Sequence, residues 1–272
     1  LFENIFKLEP GHLMIVNVDG SVSKTQYWDP VPVGEQPSID IDGTPISHSK
    51  LLHQTGSQEE TIRTIRSLLK QSIKDRMMSD VPFGVFLSGG IDSSTNVALM
   101  AELMDRPVET FSVGFKDLEK YNELGYARQI AAEFKTNHHE VVIDQKDAFD
   151  FLPRLIYHQD EPLADPVCIP LYFVSKLARD NGTIVVQVGE GSDEQFAGYP
   201  WMLRELRFYN TLWKAYRALP GFARRSAYRA AAAVLEKRHS YLVLDYLRKA
   251  TEGEELFWGG AINFTETHKR FL

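Results

Sequence analysis

One cysteine, Cys168, stands among 272 residues. A single thiol excludes an intramolecular disulfide and any cysteine-rich zinc or redox motif. A reducing, cytoplasmic setting is the expectation that follows. Long apolar runs are also missing: no stretch reaches the roughly 18 residues that a membrane span requires. No basic-then-apolar leader follows Leu1, so a signal peptide is expected to be absent or already removed. Neither sign of charge dominates, with 30 Lys and Arg against 37 Asp and Glu and a net charge of −7. The distribution is uneven, however. Residues 1–200 carry 17 basic against 30 acidic side chains, and residues 201–272 carry 13 against 7. So acidic a main part excludes nucleic acid as the principal partner, because a phosphate backbone demands a concentrated positive footprint. The basic tail holds Arg204, Arg207, Lys214, Arg217, Arg224, Arg225 and Arg229 at roughly helical spacing. It reads either as a solvated helix face or as a surface for the acidic part or an anionic ligand.

What is present is ordinary in amount and specific in order. The length suits one large domain or two modest ones. Residues 1–30 read as short β pieces, with Leu13-Met14-Ile15-Val16 running into an Asp19-Gly20 turn and on to Val22 and Tyr27-Trp28. Residues 31–56 are rich in proline, glycine and serine and read as a linker. Ser57-Gln58-Glu59-Glu60 is a capping box. Behind it Ile62, Ile65, Leu68, Leu69, Ile73 and Met77 recur at three- and four-residue steps, predicting a helix with one buried face. Apolar strands then alternate with helices. Strands are expected near Phe83–Leu87, Val108–Val113, Glu140–Ile143 and Ile184–Val186. Helices are expected near Val97–Leu103, Tyr126–Phe134, Phe149–Tyr157 and Ile169–Ala178. That alternation predicts an α/β fold with a parallel sheet covered on both faces, whose ligands bind at the carboxyl ends of the strands. Residues 201–272 read as helical and aromatic. Trp201, Phe208, Tyr209, Trp213 and Tyr216 recur at helical spacing and are expected to pack in a core.

Two strand-end loops carry chemistry. Ser88-Gly89-Gly90-Ile91-Asp92-Ser93-Ser94 falls where a strand becomes a helix. Its glycines admit a close ligand, the first helix amides face outward unpaired, and Ser88, Ser93 and Ser94 add hydroxyls. The loop is neither a Walker A sequence nor a dinucleotide fingerprint. Asp92 would repel a phosphate unless a divalent cation lay between them, which suits Mg²⁺; the plainer alternative is a capped helix start. The second loop, Gly189-Glu190-Gly191-Ser192-Asp193-Glu194, holds three carboxylates in five residues. Such a group persists cheaply when solvated, or when a metal or cationic ligand shares it. His139-Glu140-Val141-Val142-Ile143 begins like a zinc-protease motif but lacks the second histidine, so His138 and His139 are expected at a strand edge. Cys168, beside Pro166 and Pro170, is expected to pack.

Together the two loops resemble the synthetase domain of the glutamine-dependent asparagine synthetase family. The first motif marks the wider ATP-pyrophosphatase group. The second, Gly189-Glu190-Gly191-Ser192-Asp193-Glu194-Gln195-Phe196-Ala197-Gly198-Tyr199, narrows it to asparagine synthetases and close relatives such as β-lactam synthetase. Supporting segments are Ser79-Asp80-Val81-Pro82-Phe83-Gly84, Asp160-Glu161-Pro162, Ile169-Pro170-Leu171-Tyr172, Pro10-Gly11-His12 and Tyr27-Trp28-Asp29. The likeness runs to about Tyr199 and weakens beyond it.

The resemblance implies a sheet of the adenine-nucleotide α-hydrolase type. It implies residues 1–30 as the tail of a glutaminase domain of the N-terminal-nucleophile kind, 31–56 as linker, 57–200 as the ATP-pyrophosphatase domain and 201–272 as its truncated helical part. The glutaminase nucleophile and a later helical stretch bearing a catalytic-site lysine are not found, so the chain is expected to be a fragment. The implied cofactors are ATP and Mg²⁺. The implied substrates are aspartate and ammonia or glutamine, with a glutaminase domain or subunit as partner and neither nucleic acid nor membrane; a homodimer is left open. The pyrophosphate loop would be Ser88, Gly89, Gly90, Asp92, Ser93 and Ser94. Adenosine contacts would come from Phe86, Leu87, Val113, Val188 and Gly189, the metal acids would be Asp92 and Asp193, and Glu190 would serve the acyl-adenylate step. The implied activity is a carbon–nitrogen ligase that converts aspartate to asparagine through a β-aspartyl-AMP intermediate. Gln187-Val188 stands where the family usually has Leu-Ser, and Gln195 where an aliphatic residue is usual. A related amidotransferase or β-lactam-forming enzyme acting on another carboxylate, or a catalytically silent ATP-binding fragment, therefore remains open.

Overall fold

The computed structural model describes residues 3–28, 38–39, 45–46, 56–160, 165–256 and 265–269. The chain divides into two compact units, residues 1–72 and 73–272. In the first, β1 (His12–Val16) pairs antiparallel with β2 (Val22–Gln26), and Val16 stands opposite Val22. The predicted Asp-Gly turn joins them. Gly20 takes φ 81°, its amide donates to the Asn17 carbonyl at 3.0 Å, and Asp19 Oδ1 accepts from the Ser21 amide at 2.9 Å. A two-residue pair follows, β3 (Ser38–Ile39) with β4 (Pro45–Ile46); the rest of the expected linker, up to residue 55, lies outside the described residues.

Helix α1 (Gln58–Arg76) begins at the predicted capping box. The Glu60 amide donates to Ser57 Oγ at 3.3 Å, and the Ser57 amide donates to Glu60 Oε2 at 2.9 Å. Its apolar stripe corrects the expectation of one buried face. Ile73 is buried and Ile65, Leu69 and Met77 are half-buried, but Ile62 and Leu68 are 57% and 63% exposed. A stripe becomes a buried face only where another surface covers it.

In the second unit four strands form one parallel sheet: β5 (Phe83–Phe86), β6 (Glu109–Phe115), β7 (Asn137–Ile143) and β8 (Val185–Gln187). Between them run α2 (Ile91–Leu103), α3 (Leu124–Glu133), and the successive helices α4 (Gln145–Gln159) and α5 (Cys168–Asp180). Each strand and helix overlaps its predicted segment. Asp144 opens α4 with a reciprocal capping box to Asp147. The strand order is β7-β6-β5-β8. The chain therefore steps outward from β5 through β6 to β7, then returns to the far side of β5, so the order reverses between β5 and β8. Such a switch point parts two neighbouring strand-end loops and opens a crevice between them.

Alternation along the strands sorts the two faces. Phe86, Phe111, Val113 and Val186 pack with Val174 and Ala178 of α5. On the other face stand Thr110, His138 and Glu140, where Arg128 of α3 donates to both Glu140 oxygens, from Nε at 2.8 Å to one and from Nη2 at 2.6 Å to the other. His138 and His139 lie on β7, an edge strand, as expected.

No strand occurs beyond residue 187 among the described residues. The helices there are α6 (Ser192–Phe196), α7 (Pro200–Phe208), α8 (Lys214–Arg217), α9 (Gly221–Leu235), α10 (Tyr241–Glu252) and α11 (Glu266–Lys269), with a π-helical turn Tyr209–Trp213 joining α7 to α8. Trp213 is buried with Ala250 and Leu256, and Phe208, Tyr209 and Tyr216 pack against them. That bears out the aromatic core for four of its five members. Trp201 instead stacks on Tyr199, with ring centroids 5.7 Å apart. The basic residues do not share one helix, being spread over α7 to α9. Most are exposed, whereas Arg224 turns inward and donates to the Ala250 carbonyl at 3.0 Å.

Candidate functional site

The loop after β5 is ordered by its own side chains. Ser88 Oγ accepts from the Gly90 amide at 3.1 Å, and Ser93 Oγ accepts from the Ser88 amide at 3.2 Å. The Ser93 hydroxyl also donates to the Gly90 carbonyl at 3.2 Å. Gly89 takes φ 84°, and a β-carbon there would strike the α3 backbone, 2.7 Å from the Ala127 nitrogen. Gly89 is thus required twice, by conformation and by room. Gly90 is the N-cap of α2 and provides no side-chain cap, so the first amides of that helix are left for solvent or a ligand. Ser94 Oγ is buried with no protein partner.

The loop after β8 folds around two glycines. Gly191, at φ 85°, starts the short helix α6, and Ala197 ends it in the left-handed region at φ 54°. Ser192 Oγ donates to the Gly189 carbonyl at 3.0 Å. The Gly198 amide donates to the Asp193 carbonyl at 2.9 Å, and Gly189 abuts Asp92 of the first loop.

Both loops open onto one cleft of about 440 Å³ at the carboxyl ends of β5, β6 and β8. Of the residues singled out from sequence, Phe86, Leu87, Ser88, Asp92, Ser93, Val113, Val188, Gly189, Glu190 and Asp193 line it. Gly89, Gly90 and Ser94 are not on its wall. They stand behind it, one against α3, one capping α2 and one with a buried hydroxyl. Further lining residues lie outside the two loops: Tyr121 in the turn before α3, Glu123, Leu124 and Ala127 at the start of α3, and Pro170, Leu171 and Val174 on α5. Glu123, which precedes the first residue of α3, carried no sequence signal.

The electrostatics of the cleft are one-sided. Asp92, Glu123, Glu190, Asp193 and Glu194 line it, and no lysine, arginine or histidine does so among the described residues. A wall of that kind raises the local concentration of cations. Glu194 Oε1 accepts from the Tyr199 hydroxyl at 3.2 Å, and that bond holds the phenol above its ordinary value. The donors available to an anion are therefore backbone amides and serine hydroxyls, and the charge that would balance it must arrive with it. Among the described residues no three His, Cys, Asp or Glu side chains form a metal cage. Hard carboxylate oxygens in ones and twos match a cation that takes its remaining ligands from substrate phosphates and water.

A parallel sheet with a serine- and glycine-rich loop and an acidic loop flanking its switch point defines an α/β protein with an acidic strand-end cleft. Residues 64–268 match the family model described as asparagine synthase, and the chain belongs to that family. A Methanocaldococcus jannaschii relative, whose name includes glutamine-hydrolyzing asparagine synthetase, is 36% identical over 226 residues, covering 82% of this chain and 39% of its own length. The glutamine-hydrolyzing asparagine synthetase 1 of Bacillus subtilis is 30% identical over 269 residues, covering 99% of this chain and 38% of its own. Amidase chyE of Penicillium rubens is 29% identical over 211 residues, covering 73% and 29%. The chain spans about two fifths of the length of the first two relatives. No helix among the described residues is long and apolar enough to cross a membrane.

Proposed function

We propose that this chain is the synthetase part of an ATP-dependent amide ligase that activates aspartate as β-aspartyl-AMP and passes the acyl group to ammonia. Within it, residues 1–30 are the tail of a glutaminase domain, 31–56 a linker, 57–200 the ATP-pyrophosphatase domain and 201–272 its helical part. The remaining glutaminase, as a domain or a subunit, is the partner that supplies ammonia from glutamine. The setting is cytoplasmic. One observation carries the reading: Ser88, Asp92 and Ser93 of the first loop and Gly189–Asp193 of the second, far apart in sequence, border a single cleft across the switch point.

The chemistry follows from the residues. The first amides of α2 and the Ser88 and Ser93 hydroxyls cradle the pyrophosphate portion of ATP, and Ser94 backs that loop with its hydroxyl buried behind the wall. Gly89 and Gly90 shape that cradle. Phe86, Leu87, Val113, Val188 and Gly189 provide the adenosine side of the cleft. Asp92 and Asp193 would hold Mg²⁺, which when bound neutralises the phosphate charge that the carboxylate-lined wall cannot. A substrate carboxylate oxygen attacks the α-phosphorus, and the bond to the departing pyrophosphate breaks. Ammonia then attacks the acyl carbon, AMP leaves, and Glu190 receives the excess proton from the nitrogen. Most of the acceleration comes from positioning and charge neutralisation.

A second reading keeps the cleft and changes the acid. Val188, on the cleft wall where the family usually has Ser, favours an enzyme that amidates another carboxylate. Substrate-dependent exchange between ATP and labelled pyrophosphate separates them. Aspartate, among a panel of carboxylates, should stimulate exchange; stimulation by a different acid alone would transfer the assignment to the second reading.

A further inference from the structure

Gly198 sits two residues past the end of α6 with its α-carbon against the side chain of Asp193. An ideal β-carbon built on Gly198 would lie 1.8 Å from Asp193 Oδ1 and 2.9 Å from Asp193 Cγ. No side chain can occupy that space while the carboxylate remains where it is. The backbone of Gly198 does not itself require glycine, since it is not among the residues with positive φ, unlike Gly191 at φ 85°. Only room requires it. The Gly198 amide also donates to the Asp193 carbonyl at 2.9 Å, closing the turn that brings the two residues together.

We infer that Gly198 is a positioning residue, whose missing side chain is the seat on which the Asp193 carboxylate is held at the cleft wall. The inference rests on the reading of Asp193 as a metal-holding acid. A β-methyl at residue 198 would drive the carboxylate into another rotamer, and the oxygen ligand would leave its place with the loop's own backbone conformation still accessible. The glycine closes the second motif, but the sequence gives no sign that it touches the acid, because it lies five residues beyond Asp193 and outside the acidic run.

The test uses Mn²⁺ as a stand-in for Mg²⁺, with free Mn²⁺ read by electron paramagnetic resonance in the presence of ATP. Gly198→Ala should weaken Mn²⁺ binding by about tenfold or more, the scale on which displaced supporting groups act on metal sites. ATP binding measured in EDTA should be unchanged. In an Asp193→Ala background the same substitution should add nothing to the loss, because the carboxylate it would strike is gone and only the milder approach to the residue 193 α-carbon, at 3.2 Å, remains; that double variant should fold even if Gly198→Ala alone does not. Gly125→Ala, at a helical glycine with no atom within 4 Å of the added carbon, should behave as the unsubstituted chain. Unchanged Mn²⁺ binding in Gly198→Ala alongside lost binding in Asp193→Ala would overturn the inference and leave the metal reading intact. A further loss in the Asp193→Ala background would also overturn it, assigning the effect to the loop. Unchanged binding in Asp193→Ala itself would remove both.

Discussion

Gly189 lies directly against Asp92: a β-carbon added to the glycine would meet the Asp92 Cβ at 3.0 Å. The two loops of the cleft therefore touch through backbone and a single methylene, and the spacing between them depends on a hydrogen atom at residue 189.

Gly189→Ala should accordingly separate the loops by a few tenths of an ångström. The expected outcome is a several-fold rise in the ATP concentration that half-saturates pyrophosphate exchange, with stability changed by no more than about 1 kcal/mol. Titration with ATP beside a urea melt checks both. An unaltered ATP dependence would mean that the contact is incidental.

Asp92→Asn and Asp193→Asn should weaken magnesium-dependent ATP use by several kcal/mol of transition-state stabilisation, far more than they weaken folding. Both acids stand at strand ends outside the apolar core, where a loss of like charge usually shifts stability by within about 0.5 kcal/mol. Glu190→Gln should keep ATP binding and exchange yet lose amide formation. Normal magnesium dependence in both Asp variants, or normal synthesis in the Glu190 variant, would overturn those roles.

His138 should make the sheet acid-sensitive. Its Nε2 lies 3.1 Å from Glu140, which can only accept, so Nε2 bears the proton and Nδ1 accepts from the Thr110 hydroxyl at 2.9 Å. Burial pushes this imidazole below its ordinary value against the opposing pull of Glu140, while His139 and Arg128 add to the lowering. Between its folded value and about 6.5 the unfolded chain binds more protons than the folded one, so stability falls as pH drops below about 6.5. Glu140 acts at lower pH. Its burial would raise it, but Arg128 and His138 outweigh this and hold it below the usual carboxylate value, so its contribution goes only when that range is crossed. His138→Gln should flatten the melting temperature between pH 7 and pH 5.5, and an unchanged slope would exclude the mechanism.

Asp245 is 1% exposed and accepts from Arg248 Nε at 3.1 Å, the Thr267 hydroxyl at 2.7 Å and the Thr267 amide at 3.2 Å. Arg248 is itself buried and also bonds Glu254 and Glu252; these partners hold the guanidinium above its ordinary value. Asp245→Ala would strand part of a buried network and should cost about 3–5 kcal/mol. Asp245→Asn keeps an acceptor for Thr267 and should cost less. Chemical denaturation measures the difference, and equal losses would show that the carboxylate charge, not the acceptor, is what matters.

The periodicities and turn residues determined most of the second unit without help. Apolar runs such as Phe83–Leu87 and the alternation of strand with helix were enough for a parallel α/β sheet, and strand ends were enough to pick out Asp92, Glu190 and Asp193. Those signals are local, set by the geometry of each element and by the chemistry of a few loop residues. What they could not determine is which surface faces which. Ile62 and Leu68 carry the right spacing and remain exposed; Trp201 carries it and stacks on Tyr199; Ser94 carries the motif and stands behind the wall. The lining contributed by Leu124 and Ala127 had no motif at all, and the segment holding Pro170 and Leu171 carried no sign of a place in the cleft. Only the tertiary structure decided these, because the return of β8 beside β5, rather than any local pattern, brings the two loops together, while α3 and α5 close the walls. The same return seats Gly189 on Asp92, a proximity between residues almost a hundred positions apart that nothing in either segment specifies by itself.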